Sequence, residues 1–230
     1  MNLNSGEIHI WSTAIDERFE KTSAGSFLSE SERRNAKKFT YDIDNFLFTV
    51  RHNLLRIILG NYLNCNPAKI KFNSNHYQKP HITHPNTNIQ FNISSSANLF
   101  LAAFCQRNSI GVDLELIRPV QDIELMVSDY FTTNEATWVN SHTGFMIENA
   151  FLSVWSKKEA LIKAIGRGLY IEPNQFDVLS EGPISYGDSE WYISPLNISP
   201  DCIGAVAVNN APPIIHYFDA AELVSIPVGL

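Results

Sequence analysis

Two stretches that begin a hundred residues apart follow one plan. FNISSSANLFLAAF runs from Phe91 and WYISPLNISPDCIGAVAV from Trp191. Each opens with a short run of alternating apolar and polar residues, passes through a polar turn rich in Ser, Asn or Pro, and closes in an apolar run. That is strand, turn, strand. No strict repeat of residues accompanies the repeat of pattern, so the likeness lies in architecture.

The elements around the two hairpins partly repeat as well. Ile8 to Thr13 reads as a strand, and Ser29 to Thr40 and Asp44 to Tyr62 as helices, the second long and amphipathic. Ile89 to Ile93 and Leu99 to Gln106 read as strands. The order then starts again: a strand over Ile110 to Leu116, helices over Asp122 to Tyr130 and Ile147 to Gly166, strands over Trp191 to Ile193 and Ile203 to Val208. The expectation is an α+β fold of two similar, pseudo-twofold-related lobes, each a small, mainly antiparallel sheet packed with helices. The N-terminal lobe would span 1–107 and the C-terminal lobe 108–230, hinged at Arg107-Asn108. At 230 residues the chain is long enough for two such units of about 110 residues each, and a cleft between lobes is a common place for a ligand.

Two segments carry chemistry. In Gly111-Val112-Asp113-Leu114-Glu115, strand alternation puts Asp113 and Glu115 on one face and Val112 and Leu114 on the other, against a core. Two like charges so close repel unless a cation or base compensates. Phe151 to Ile165 has apolar residues at helical spacing, with Leu152, Trp155, Leu161, Ile162 and Ile165 as the buried stripe, and Gly166 and Gly168 end the helix. Glu159 and Lys163, four apart, face the same way. The plainer readings are a polar strand edge and a surface pair worth ~0.3–0.5 kcal/mol. Taken together, the segments look like a hard-cation site beside a phosphate-binding lysine.

Composition excludes several classes. Hydrophobic residues make up 44% of the chain, ample for a core, yet no segment approaches the ~20 apolar residues of a membrane span. The N-terminus MNLNSGEIHIWS has neither the basic nor the apolar region of a secretory signal. Cys65, Cys105 and Cys202 show no metal or redox spacing, which favours reduced thiols in a cytoplasm. His76, His81 and His84 read as loop residues. Residues 1–80 hold eleven basic against eight acidic side chains, and residues 81–230 six against sixteen, for net charges of +3 and −10. An acidic chain is a poor general binder of nucleic acid. Its basic residues would hold a polyanion only where they converge; the candidates are Arg33, Arg34, Lys37, Lys38, Lys79, Lys157, Lys158, Lys163 and Arg167.

GVDLE, followed by Trp155-Ser156-Lys157-Lys158-Glu159-Ala160-Leu161-Ile162-Lys163, resembles the Sfp-type 4′-phosphopantetheinyl transferase superfamily, which carries G-[IV]-D-[ILV]-E and then W-[ST]-x-K-E-[AS]-x-x-K. Tyr77-Gln78-Lys79-Pro80 resembles the family's Y-G-K-P, Phe91 to Ser96 its F-N-[IV]-S-H-S, and Arg33 to Arg56 its basic helical region. The resemblance covers most of the chain. It implies Mg²⁺-dependent transfer of 4′-phosphopantetheine from coenzyme A to a serine of an apo acyl or peptidyl carrier protein, releasing 3′,5′-ADP. Asp113, Glu115 and Glu159 would hold the metal, an all-oxygen set suited to Mg²⁺ or Mn²⁺ rather than zinc. Lys79, Asn92, Ser94, Ser95, Lys158 and Lys163 would hold coenzyme A. Glu135, Glu159 and Lys163 would be catalytic, with Glu135 taking the serine proton; its plainer reading is a capping glutamate after Thr132 or Thr133. Phe131, Trp138 and Phe145 would offer an apolar patch to the carrier protein. A cytoplasmic monomer without nucleic acid or membrane is expected. The alternatives are a non-catalytic binder of coenzyme A or carrier protein, and a metal-dependent phosphohydrolase. Two positions depart from the family: Ser95 stands where a histidine usually helps bind the 3′-phosphate, and Gln78 where a glycine is usual. Serine supplies no positive charge, so a weaker hold on that phosphate is expected.

Overall fold

The computed structural model describes residues 1–19, 27–210 and 212–223. Its strands are β1 (Glu7–Ala14), β2 (Lys71–Ser74), β3 (Pro80–His84), β4 (Ile89–Ser96), β5 (Leu99–Gln106), β6 (Ile110–Leu116), β7 (Ile184–Tyr186), β8 (Ser189–Leu196), β9 (Cys202–Asn209) and β10 (Ile214–Asp219). The α-helices are α1 (Glu30–Ala36), α2 (Asp42–Leu63), α3 (Ile123–Tyr130), α4 (Thr133–Asn140) and α5 (Phe145–Ile165). One four-stranded sheet has the order β10-β1-β5-β4 and the other β6-β9-β8-β7; β2 and β3 form a separate hairpin. The fold is the expected α+β arrangement. All pairings are antiparallel except β1 with β10, where the chain returns after the second sheet and pairs in parallel with the first, Glu7 opposite Ile214.

The layering follows from strands that are apolar on both faces. In β5, Phe100, Ala102 and Phe104 point at α2, where they meet Leu47, Val50, Leu54, Ile58 and Leu59, spaced for one helical stripe. The alternate residues Leu101, Ala103 and Cys105 point the other way, with Ile8 and Ile10 of β1, and pack against Ile110, Val112 and Leu114 of β6 and Val206 and Val208 of β9. The far face of β9, Ala205 and Ala207, packs under α5 at Ala160, Leu161 and Ala164. The order through the molecule is therefore α2, sheet, sheet, α5. α5 has no exposed described side chain from Ile147 to Gly166, and α2 has none from Asn45 to Gly60. Of the predicted stripe of α5, Leu152, Leu161 and Ile162 are buried, whereas Trp155 and Ile165 are half-buried; Ala150, Phe151, Val154, Ala160 and Ala164 are buried as well.

Four strands and one helix were not expected. β2, β3, β7 and β10 are short or carry exposed residues, so they lack the apolar alternation that marks a strand. His81 and His84 accordingly lie on β3 rather than in a loop. α4 has only eight residues, two turns with little apolar periodicity. α1 is shorter than Ser29 to Thr40: Ser29 and Glu32 form a reciprocal capping box at its start, and the helix ends at Ala36.

Glu32 also anchors α1 to α2. Arg56, only 2% exposed, bonds the Glu32 carboxylate at 2.7 Å through Nη2 and donates to the carbonyls of Pro67 and Ile70. Burial would raise the Glu32 carboxyl, but hydrogen bonds from His52, Arg56 and Ser29 outweigh it and hold it at about 2, against 4.5 ordinarily. A carboxyl lowered in the folded state stabilises fully above its unfolded value, and that contribution is lost as pH falls through the folded one. Thermal unfolding should therefore show stability declining as pH drops from 4.5 to about 2. Glu32→Gln should flatten that decline and cost on the order of 3 kcal/mol at neutral pH, because it leaves Arg56 without its countercharge.

Candidate functional site

Gly111 decides where α5 lies. A Cβ at this position would sit 2.1 Å from the Ala160 carbonyl oxygen and 2.2 Å from the Ala164 nitrogen, so only a residue without a side chain allows the helix backbone to rest on β6. Gly111, Asp113 and Glu115 share one face of the strand by alternation, and that face looks at α5. The contact brings Glu159 and Lys163, on the helix, against Asp113 and Glu115, on the strand. Lys163 Nζ reaches Asp113 Oδ1 at 2.6 Å, and Ser94 of β4 donates to the same oxygen at 3.1 Å.

The carboxylates press on one another. Burial raises the Glu115 carboxyl and Asp113 adds to the rise; Arg118 and Lys163 pull it down, and Glu159 pushes it up. Burial also raises Glu159, with Lys163 opposing and Asp113 adding. Asp113 is 4% exposed, and its Oδ2 is buried without a hydrogen-bond partner. Two raised carboxyls, Glu115 and Glu159, beside the orphaned Asp113 oxygen are what a hard divalent cation would relieve, and the all-oxygen donors fit Mg²⁺ or Mn²⁺. Among the described residues no group of three His, Cys, Asp or Glu side chains already stands closed around one point; the cation would have to draw these carboxylates together.

The site opens on a cleft of about 570 Å³ walled by Tyr77, Lys79, Asn92, Trp155, Glu159 and Lys163, among others. Trp155 serves both as wall and as packing: its ring stacks on Phe151 and meets Tyr130 edge-on. The turn between β2 and β3 forms the opposite wall and is latched to the end of α5. Lys79 Nζ donates to the carbonyls of Ile110 at 2.9 Å and Ala164 at 2.8 Å, and Asn75 donates to the carbonyl of Gly166 at 3.0 Å. The Ala164 and Gly166 carbonyls are among those the C-terminus of α5 leaves unpaired, where positive charge is favoured. Burial lowers the Lys79 ammonium to about 8. Gln78 has φ of +68°, the left-handed conformation that glycine adopts freely, so the turn keeps its geometry despite the substitution.

The residues expected at the site divide. Asp113, Glu115, Glu159, Lys163, Ser94 and Asn92 come together. Asn92 caps a neighbouring strand as well, accepting the Val112 N–H at 2.9 Å. Lys79 lines the cleft, but its ammonium faces backbone carbonyls. Ser95 is exposed on the opposite face of β4 from Ser94. Lys158 and Glu135 lie elsewhere: they form an ion pair at 2.7 Å with both side chains at most 1% exposed. Glu135 also accepts the N–H groups of Thr132 and Val178, and Lys158 donates to the carbonyls of Pro173 and Phe176. The capping-box reading of Thr132 and Glu135 describes this geometry, which ties α4 and the segment after α5 to the helix. Asn75 and the close approach at Gly111 were missed in sequence; an Asn heading a turn was the available signal for the first.

Residues 109–190 match the family described as the 4′-phosphopantetheinyl transferase superfamily, and residues 11–106 match that described as 4′-phosphopantetheinyl transferase, N-terminal. The two stretches abut at the turn from β5 to β6. The chain is similar to the 4′-phosphopantetheinyl transferase HetI of Nostoc sp., 29% identical over 225 residues, covering 94% of this chain and 95% of that one. It is 32% identical to the 4′-phosphopantetheinyl transferase ffp of Bacillus subtilis over 155 residues, 66% of each chain. With the 4′-phosphopantetheinyl transferase Sfp of Bacillus subtilis it shares 26% over 182 residues, 76% of this chain and 79% of the other.

Gly111→Ala should push α5 off β6. Overpacking of this kind typically costs about 1–3 kcal/mol, and here the clash is with backbone, which cannot step aside. A lowered melting temperature together with loss of divalent-cation binding is the expected result, measured by thermal unfolding with and without Mn²⁺.

Proposed function

The chain belongs to the 4′-phosphopantetheinyl transferase superfamily, and from that premise we propose that it transfers 4′-phosphopantetheine from coenzyme A to a serine of an apo acyl or peptidyl carrier protein in a Mg²⁺-dependent reaction. The observation that carries this reading is the meeting of Asp113 and Glu115 with Glu159 and Lys163, the last two of which line the cleft. Asp113, Glu115 and Glu159 would hold the cation, whose chemistry is to neutralise charge on the diphosphate. In the reaction the serine Oγ bonds to the phosphorus on the pantetheine side. The bond from that phosphorus to the bridging oxygen breaks, and 3′,5′-ADP leaves with that oxygen.

The chain's own residues supply position and field. Lys163, with its side chain 29% exposed, reaches from α5 to the carboxylates and would hold a phosphate oxygen. Glu159 is better placed than Glu135 to take the serine proton. It lines the cleft, and its raised carboxyl suits it to accept a proton. Glu135 is sealed in its ion pair. In this reading residues 1–107 serve the nucleotide end of coenzyme A, and residues 108–230 carry the metal and catalytic motifs. Lys79, Asn92 and Ser95 stay with the nucleotide end, and Lys158 supports α5. Only if Arg33, Lys37 or Lys38 reached the 3′-phosphate would the charge that Ser95 lacks be replaced.

For the carrier protein, Trp138 and Phe145 are exposed while Phe131 stacks on Phe151 in the core, so the proposed docking patch consists of the first two with exposed Leu125 and Met146. No helix among the described residues is long and apolar enough to cross a membrane, and all three cysteines are free thiols. A cytoplasmic monomer is the setting this reading assumes.

The test is intact-mass spectrometry of an apo carrier protein incubated with the protein, coenzyme A and Mg²⁺. The carrier should gain one phosphopantetheine group, and EDTA, Asp113→Ala or Glu159→Gln should abolish the gain. Glu135→Gln should lower the melting temperature while folded protein retains turnover. A catalytic defect in stable Glu135→Gln would return the proton to Glu135. Release of 3′,5′-ADP without carrier would favour a phosphohydrolase, and binding of coenzyme A without any transfer a non-catalytic relative. In the same assay dephospho-coenzyme A should serve nearly as well as coenzyme A, and a large preference for the intact donor would sink the weakened 3′-phosphate contact.

A further inference from the structure

Asp113 divides its two oxygens. Oδ1 accepts from Lys163 Nζ at 2.6 Å and from the Ser94 hydroxyl at 3.1 Å. That same hydroxyl accepts from Lys163 Nζ at 3.2 Å, so the three groups close a small ring with every donor and acceptor in a consistent role. Oδ2, in contrast, is buried with no partner. A carboxylate torsion is broad and roughly two-fold, and a half-turn would exchange the two oxygens. Two donors converging on Oδ1 hold that torsion and determine which oxygen stays free.

Ser94 reaches Asp113 because two edge strands meet. Among the described residues β4 pairs with β5 alone and β6 with β9 alone, so the free edge of each looks for partners. Side chains of β4 supply them at alternate positions. Asn92 Oδ1 accepts the Val112 N–H at 2.9 Å, and Ser96 Oγ accepts the Leu116 N–H at 3.1 Å. Both bonds join residues twenty apart in sequence. The residue between them, Ser94, bonds the Asp113 side chain instead of a backbone group. The flanking bonds set the register, and the register delivers the hydroxyl to the carboxylate.

We propose that Ser94 is a positioning residue for the metal-binding carboxylate: with Lys163 it pins Asp113 Oδ1, so that Oδ2 is presented to the divalent cation. This rests on the reading of Asp113, Glu115 and Glu159 as a metal site. It departs from the expectation that Ser94 chiefly contacts the nucleotide. It also makes the cation site a joint product of both lobes, since the orienting hydroxyl comes from the first sheet and the ligands from the second sheet and α5. Groups that orient a metal's ligands typically change its affinity 10–100-fold when removed.

The experiment is isothermal titration of the purified full chain with Mn²⁺ alone, for wild type, Ser94→Ala and Ser94→Thr, with melting temperatures measured in parallel. Ser94→Ala should bind Mn²⁺ about 10–100-fold more weakly at an unchanged melting temperature, and Ser94→Thr, which keeps the hydroxyl, should restore the affinity. Equal Mn²⁺ affinity in wild type and Ser94→Ala would overturn the positioning role while leaving the metal site standing. Failure of Ser94→Thr to rescue would overturn it too, because the hydroxyl would then not be the operative group. A wild type that takes up no Mn²⁺ would overturn the metal reading itself, and the proposal with it.

Discussion

The contact of α5 with β6 at Gly111 is the constraint on which the rest of the molecule depends. A helix normally rests on a sheet through two layers of side chains, about 10 Å from it, as packed sheets stand from each other. Here glycine on the strand and alanine on the helix remove both layers at one point. The backbones touch, and side chains one turn away on either element fall within bonding reach. Asp113 and Lys163 meet at 2.6 Å for that reason. The same closeness lets Lys79 bond one carbonyl on β6 and another on α5 with a single ammonium. Had α5 stood off by the usual distance, the carboxylates would face a layer of apolar side chains instead of one another.

Charged residues in this fold therefore do two different jobs within one short run of sequence. Successive residues of a helix point about 100° apart. Lys158 turns inward to Glu135, sealed from water and fully hydrogen-bonded, while Glu159 and Lys163 turn toward the cleft. The buried pair ties α4 and the segment through Phe176 to α5, much as Glu32 and Arg56 tie α1 to α2. Such pairs hold geometry well because removing either member leaves an uncompensated charge. The pair nearest the cleft differs. Lys163 is partly exposed, and its partner Asp113 keeps one oxygen free, so the pair can meet a ligand without parting.

The pairing of Asp113 with Glu115 and of Glu159 with Lys163 was legible in sequence because period governs it. Alternation along a strand placed Asp113 with Glu115, and the four-residue helical repeat placed Glu159 with Lys163. Glu135 and Lys158 were not legible as partners. They are distant in sequence, and nothing local distinguishes a glutamate that caps its own helix from one that also receives a buried lysine. Lys79 was legible as a site residue, but not the direction of its ammonium, which depends on carbonyls of two other elements. Ser94 and Ser95 are neighbours with opposite fates, since strand alternation sends one to Asp113 and the other to solvent.

By itself the sequence determined the two-hairpin plan, the long amphipathic α2, the faces of β6 and α5, and which carboxylates would share a face. These follow from backbone periodicity, which acts within a few residues. Tertiary structure alone decided that β10 returns to the first sheet, that α5 buries residues beyond its predicted stripe, that β4 and β6 join through side chains, and that Glu135 closes on Lys158. Each of these depends on long-range packing, in which an edge, a free carbonyl or a buried charge finds its partner only after the layers have assembled.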